Sequence, residues 1–276
     1  MGLTIDESVR WRLLDHTAPL HGDVLLPFAV EELECQAVAE GAPPMLHIWR
    51  HERALVLGMR DRRLPHARAA MDEWQARGWS TAVRNSGGAA VPLDAGVVNI
   101  SMILPSAGRV NLHRDFAAMA ELVGAAVRRL TADAAVQAGE ITGAYCPGEY
   151  DLAIDGYKFC GIAQRRKLGA YSIQAFVVVE GSGAERARAA ETFYRQAAGG
   201  RMSPHALQVR EDSTRSLQEL IGSGNAAVTA DHYVQAVKDA LPGRFGQEAY
   251  ANDYAGYDPD RLAAVLETMK RRYDTD

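Results

Sequence analysis

Along the chain the apolar positions change period several times, and each change marks an element. Pro27 to Ala39, "PFAVEELECQAVA", spaces its apolar residues at helical intervals with acids early, which predicts a helix. "MLHIWRHERALVLG" then reads as two short strands, and Ala67 to Arg77 reads as a helix. "STAVR" predicts a strand running into "NSGGAAVPLDAG", and "VVNISMIL" resumes as a strand rich in β-branched residues. A glycine-containing loop is thereby placed between two strands. Leu112 to Ala132 is the longest helical candidate, with Phe116, Met119, Leu122, Val123, Ala126 and Leu130 on one stripe. "YSIQAFVVVEG" is the most strand-like run, and from Ala184 onward the period is helical: Ala184 to Gln196, Ser216 to Ile221, Ala230 to Leu241 and Pro259 to Arg272. Ser216 with Glu219 has capping-box spacing, and Asp258 precedes a proline suited to the first helical position. The expectation is an α/β fold around a mixed sheet. An N-terminal segment and helix (1–44) lead into a core (45–200) and then a helical C-terminal region (201–276), with the joint at "QAAGGRMSP".

Composition narrows the function classes. The chain has 276 residues, 47% hydrophobic and 24% charged, with a net charge of -5, the profile of a globular protein with room for a sizeable core. No basic surplus points to nucleic acid. The stretch "MGLTIDESVRWRLLDH" scatters charges through the N-terminus, so neither a signal peptide nor a membrane span is expected, and the reading is cytoplasmic. Cys35, Cys146 and Cys160 lack the spacing of a disulfide frame or a zinc site. No metal is expected, and a cytosolic thiol would be reduced and available for chemistry.

The candidate chemistry lies in "AYCPGEYDLAIDGYKFCGIAQRR", Ala144 to Arg166. Proline disfavours helical geometry at the residue before it, which predicts an extended Cys146 on a loop. Asp155-Gly156 between apolar residues is a strong hairpin signal. A two-residue loop would pair Ile154 with Tyr157, Ala153 with Lys158, Leu152 with Phe159 and Asp151 with Cys160. One face would then carry Leu152, Ile154, Tyr157 and Phe159, and the other Asp151, Ala153, Lys158, Cys160 and Ile162. Lys158 is either a partly desolvated lysine fit for proton transfer or a solvated strand lysine paired with Asp151. Cys146 is either a nucleophile, its thiolate favoured by that lysine, or a small loop hydrophobe. Cys160, between Phe159 and Gly161, reads as core filler. In "RNSGGAAVPLDAGVVNIS", Gly87 and Gly88 permit a close backbone approach to a ligand.

Taken together, these two segments resemble the lipoate and biotin protein ligase superfamily, and within it the octanoyl-[glycine cleavage H protein]:protein N-octanoyltransferases, or lipoyl amidotransferases. The similarity extends to "HERALVLGMRDRRLP" and "VEGSGAERA" and covers most of Trp49 to Ala187. The resemblance implies a mixed-sheet catalytic domain, a thioester intermediate on Cys146 assisted by Lys158, and an acyl pocket lined by Arg84, Ser86, Gly87 and Gly88. Backbone N–H groups near Cys146 or Gly161 are the candidates for stabilising an oxyanion. The implied partners are octanoylated glycine cleavage H protein as donor and lipoyl domains of 2-oxoacid dehydrogenase acyltransferase subunits as acceptors, with no cofactor. ATP-dependent ligases of the superfamily usually carry a triple glycine and a His-Asp pair, where this chain has Gly87-Gly88-Ala89 and Leu93-Asp94. They also lack the cysteine before the hairpin. Arg165, Arg166 and Lys167, consecutive cations in a net-acidic chain, read either as a solvated strand end or as a docking patch for acidic lipoyl domains.

Overall fold

The computed structural model describes residues 8–106, 111–200, 206–222, 228–250 and 254–273. The first half runs β1 (Arg10–Leu20), α1 (Leu26–Ala39), β2 (Met45–His51), β3 (Arg53–Leu57), α2 (Ala67–Ala76), β4 (Ser80–Val83), β5 (Val91–Asp94), β6 (Val97–Pro105) and α3 (Leu112–Leu130). The second runs β7 (Gln137–Ala138), β8 (Leu152–Ile154), β9 (Tyr157–Lys167), β10 (Ala170–Val178), α4 (Gly183–Ala197), α5 (Leu217–Ile221), α6 (Ala230–Ala240), β11 (Arg244–Tyr250) and α7 (Pro259–Tyr273). One mixed sheet has the order β11-β1-β2-β6-β10-β9-β8-β7, and a smaller one the order β4-β3-β5.

Strand alternation gives the large sheet two unlike faces. Val98, Ile100 and Met102 of β6 and Ile173, Ala175 and Val177 of β10 point one way, onto α3 and α6. The stripe expected on α3 supplies Met119, Leu122, Val123 and Ala126 to that core. The other face presents Asn99, Ser101, Gln174 and Phe176, with Phe28 and Glu31 of α1 and residues of the small sheet across from them. Polar side chains on a covered face of a sheet mark the place where that cover encloses a site.

Both predicted caps form. Ser216 and Glu219 close a capping box on α5, and the Asp258 carboxylate accepts from the Arg261 N–H at the start of α7. β5, β1 and β11 depart from the sequence reading. The run "VPLD", which the sequence places in the glycine loop, is β5; among the described residues it pairs with β3 alone, and Pro92 is tolerated because that edge needs no donor. "MLHIWRHERALVLG" gives two strands as expected, β2 in the large sheet and β3 in the small one. β1 and β11 were not anticipated as strands; they pair in parallel across more than two hundred residues of chain, a contact that local periodicity cannot report. The C-terminal region thus contributes a strand to the large sheet, and α6 and α7 pack on α3 and α1. Of the expected joint at "QAAGGRMSP", Gln196 and Ala197 still belong to α4, and 201–204 lie outside the described residues.

Candidate active site

The hairpin carries the site. Asp155 and Gly156 have φ of 51° and 81°, the paired left-handed residues of a tight turn, and Ile154–Tyr157 and Ala153–Lys158 pair as expected. One step later the register shifts, so that Leu152 faces Cys160 and Phe159 is bulged out. Beyond the bulge the alternation is reversed. Cys160 and Ile162, expected beside Lys158, pack instead with Phe159 in the α3-side core. Gly161 takes the place beside Lys158: a Cβ there would lie 3.2 Å from the Lys158 Nζ and 2.4 Å from the Phe176 ring. Full burial pushes the Cys160 thiol well up, which disfavours its nucleophilic thiolate.

Lys158 is entirely buried and pairs with the equally buried Asp151 at 2.7 Å. Its ammonium also donates to the backbone carbonyls of Tyr145 (2.9 Å) and Cys146 (2.5 Å). Both features weighed from the sequence are therefore present: the lysine is desolvated, and it has Asp151 as counter-ion. Burial pushes the Asp151 carboxyl up to about 6, against the pull of Lys158 and the Gly148 N–H.

Cys146 sits on the loop before β8, buried, with a φ of 47°. The extended geometry expected before Pro147 is not adopted. The backbone is held in the left-handed region, a strain of about 1–3 kcal/mol that the surrounding contacts must overcome. Tyr145 stacks on Phe176 below it, and Lys158 clamps the two carbonyls. The Cys146 Sγ accepts the Ala89 N–H at 3.2 Å and lies 3.6 Å from Arg84 Nη2.

The glycine loop between β4 and β5 is thus the other half of the site. Arg84 staples it, donating to the carbonyls of Gly87 (3.0 Å), Ala89 (2.8 Å) and Val56 (3.2 Å). Gly88 has φ of 92°, and a Cβ there would fall 2.5 Å from Arg84 Nη2 and 2.8 Å from the Cys146 Sγ. Only glycine fits. At Gly87 a Cβ would meet open space, and the Ser86 hydroxyl is buried without a partner. Farther back, the Tyr194 hydroxyl accepts the Ala90 N–H and donates to Asp61, whose carboxyl also holds the Gly58 N–H. Burial pushes the Asp61 carboxyl up, while Gly58, Tyr194 and Arg84 pull it down.

A narrow slot leads away from Cys146. Phe28, Trp49, Val56, Val91, Leu93 and Phe176 give it an apolar lining, and the space between the lining atoms is about 480 Å³, its open mouth included. Along one side the Glu31 carboxylate accepts from Ser101 (2.6 Å) and Gln174 (2.5 Å) and meets His47 Nδ1 at 3.1 Å.

The three cations at the end of β9 do not form a single patch. Alternation sends Arg165 and Lys167 to Glu32 of α1, at 2.7 and 3.5 Å, and Arg166 to Asp115 of α3 at 3.4 Å. Each is met by a carboxylate of the chain itself. Glu32 also accepts from Asn85 at 2.6 Å, which ties this cluster to the glycine loop.

Asp61, Tyr194, Glu32 and the Ala89 N–H are site-supporting groups that the sequence reading missed. Tyr194 sits at an ordinary core position of α4, and Asp61 lies within a run of charges. The one local signal was Gly58 three residues before an acid, since the Asp61 N–H returns to the Gly58 carbonyl in a turn. Among the described residues, no group of three or more His, Cys, Asp or Glu side chains is placed to hold a metal ion. Among the described residues, too, no helix is long and apolar enough to cross a membrane.

Residues 23–242 match the family described as the lipoyl protein ligase A/B catalytic domain. The chain is 40% identical to the octanoyl-[GcvH]:protein N-octanoyltransferase of Anoxybacillus flavithermus, over 96% of this chain and 95% of that protein. It is also 40% identical to the enzyme of the same name from Exiguobacterium sibiricum, over 80% and 81%. Among solved structures, a lipoate-protein ligase A bound with ATP superposes with a TM-score of 0.66 at 18% identity, covering 98% of this chain and 97% of that one. A putative lipoate protein ligase from T. acidophilum with bound lipoic acid gives the same TM-score at 19% identity, covering 98% of both chains. These structural likenesses establish the shared mixed-sheet fold, and the sequence relatives carry the finer grouping. The chain belongs to the lipoyl protein ligase A/B catalytic-domain family and groups within it with the octanoyltransferases.

Proposed function

We propose that this enzyme moves an octanoyl group from a lysine of the glycine cleavage H protein to a lysine of lipoyl domains in 2-oxoacid dehydrogenase complexes, through a thioester on Cys146. The observation that carries the reading is the placement of the Cys146 Sγ at the head of an apolar slot, with an N–H and a guanidinium directed at it. The donor is read from the names of the relatives, which act on GcvH.

The sulfur, as thiolate, attacks the carbonyl carbon of the octanoyl-lysine amide. The C–N bond breaks, the donor lysine nitrogen leaves with a proton, and the octanoyl group stays on sulfur. The neutral amine of the acceptor lysine then attacks the thioester carbon, the C–S bond breaks, and the proton lost by the new amide balances the one taken by the leaving amine. Donor and product are both octanoyl-lysine amides, so the exchange is near thermoneutral and needs no ATP. The amide is the more stable acyl derivative, which keeps the acyl-enzyme a minor species with this donor. Lys158 supports the reaction by holding the Tyr145 and Cys146 carbonyls, and Gly161 leaves room for that ammonium.

The test mixes octanoylated H protein and an apo lipoyl domain with the enzyme, without ATP, and follows both by intact mass. The reading expects octanoyl loss from one to match its gain on the other, and none with Cys146→Ala. Transfer that requires ATP would replace this reading with a ligase. Transfer only from an octanoyl carrier-protein thioester would replace the donor.

A further inference from the structure

We infer that Arg84 together with the Ala89 N–H, and not Lys158, is the anion hole that holds the Cys146 thiolate, and that Lys158 is a positioning residue for the loop. The inference rests on the reading of Cys146 as the nucleophile and assigns the groups that make it reactive.

An ammonium has three N–H donors. Those of Lys158 have three acceptors within the chain, namely the Asp151 carboxylate, the Tyr145 carbonyl and the Cys146 carbonyl. None is left over for the sulfur, and the Asp151 charge neutralises the one carried by Lys158. Arg84 is built differently. Its planar fork spends three N–H groups on the carbonyls of Gly87, Ala89 and Val56, and Nη2 still faces the Cys146 Sγ. Those acceptors are neutral, so the guanidinium keeps its net charge for the sulfur. The Ala89 N–H adds a second donor on the same atom, and Gly88 keeps the space between them clear. Among the described residues, the other titratable groups toward this corner include Tyr145 and Tyr194, whose hydroxyls burial pushes up, Asp61 behind Arg84, and Glu31 along the slot. A cation and an oriented N–H directed at one sulfur form an electropositive pocket of the kind that favours thiolate. The glycine loop, which the resemblance assigns to the acyl pocket, therefore acts on the nucleophile itself.

The experiment measures the rate of Cys146 alkylation by iodoacetamide across pH in the wild type, in Arg84→Met, and in Lys158→Met combined with Asp151→Asn, with mass mapping to exclude Cys35 and Cys160. The double change removes both charges of the buried pair, so neither is stranded. Arg84→Met is expected to slow alkylation at neutral pH about tenfold or more and to move the profile toward higher pH, since a hydrogen bond to a charged group is lost. The double variant is expected to alkylate within about threefold of wild type while losing octanoyl transfer, as scatter in side-chain contributions of that order is normal. A wild-type profile in Arg84→Met, or an equal shift in the double variant, overturns the assignment. Should Arg84→Met fail to fold, Arg84→Gln keeps amide donors for the loop carbonyls, removes the charge, and is read by the same two outcomes. A separate arm offers the wild type a small octanoyl thioester. Failure to acylate Cys146 there refutes the nucleophile, whereas the alkylation comparison reports only on what holds the thiolate.

Discussion

At the scale of single residues, environment sets Cys146 apart from the core thiol of Cys160 and isolates one buried ion pair. Cys146→Ala should abolish transfer and leave the urea midpoint near wild type, because the change removes one sulfur from a loop. Cys160→Ala should keep most of the activity and cost about 1 kcal/mol, the value of one small buried group, measured by the same melt. The ion pair gives a sharper test. Removing Asp151 alone strands the Lys158 ammonium in the core, so Asp151→Ala should cost about 3–5 kcal/mol. Adding Lys158→Met should recover much of that loss. The pH dependence follows from the direction of the shift. The Asp151 carboxyl lies at about 6, above its unfolded value, so protonation favours the folded state. As pH falls through about 6 the ammonium loses its counter-charge, and transfer should decline there while the fold survives. Near-UV circular dichroism that collapsed together with activity would contradict this. The loop position of Cys146 and the pairing of Lys158 with Asp151 were legible from a proline and a turn dipeptide, although the extended backbone expected at Cys146 and the register expected at Asp151 are not adopted. Asp61 and Tyr194 were not legible, since they act through contacts between distant segments.

At the scale of elements, one inserted residue in β9 decides which side chains meet. Regular pairing places Cys160 beside Lys158, whereas the bulge at Phe159 turns Cys160 into the core and brings Gly161 to the site. Gly161→Ala should therefore impair transfer severely, because its methyl would press on Phe176 and Lys158, and a crystal structure of the variant should show one of them displaced. The same element carries the cations read as a docking patch. With Glu32 joining Arg165 and Lys167 to Asn85, Arg165→Ala should lower the turnover number by loosening the glycine loop, with a salt dependence like that of wild type. A flattened salt dependence at limiting acceptor would restore the steering role. The hairpin itself could be read from Asp155-Gly156. The bulge could not, because nothing in "YKFCGIAQRRK" announces which residue is extra.

At the scale of the molecule, β1, β11 and α7 are built into the structure that carries the site. β11 pairs with β1, Glu34 of α1 meets Arg12 of β1 at 2.6 Å and accepts from Tyr257 at 2.6 Å, and Met269 of α7 is buried against the site-side core. Removing α7 would uncover part of the face that positions Phe28 and Glu31, so such a truncation should lower stability and acyl transfer together. The helical period of the C-terminal third was legible; the strand inside it was not, since its partner lies at the other end of the chain. The proposed reaction makes Cys146 the carrier of the octanoyl group between two proteins. Its most direct test is a chase: acylate the enzyme with a small octanoyl thioester, remove excess donor, map the octanoyl group, then add apo lipoyl domain without ATP and follow both masses in time. The account predicts a thioester on Cys146 that disappears as the lipoyl domain gains octanoyl, at least as fast as the steady-state rate. An octanoyl group mapped elsewhere, or a Cys146 adduct that the acceptor cannot discharge, would contradict it.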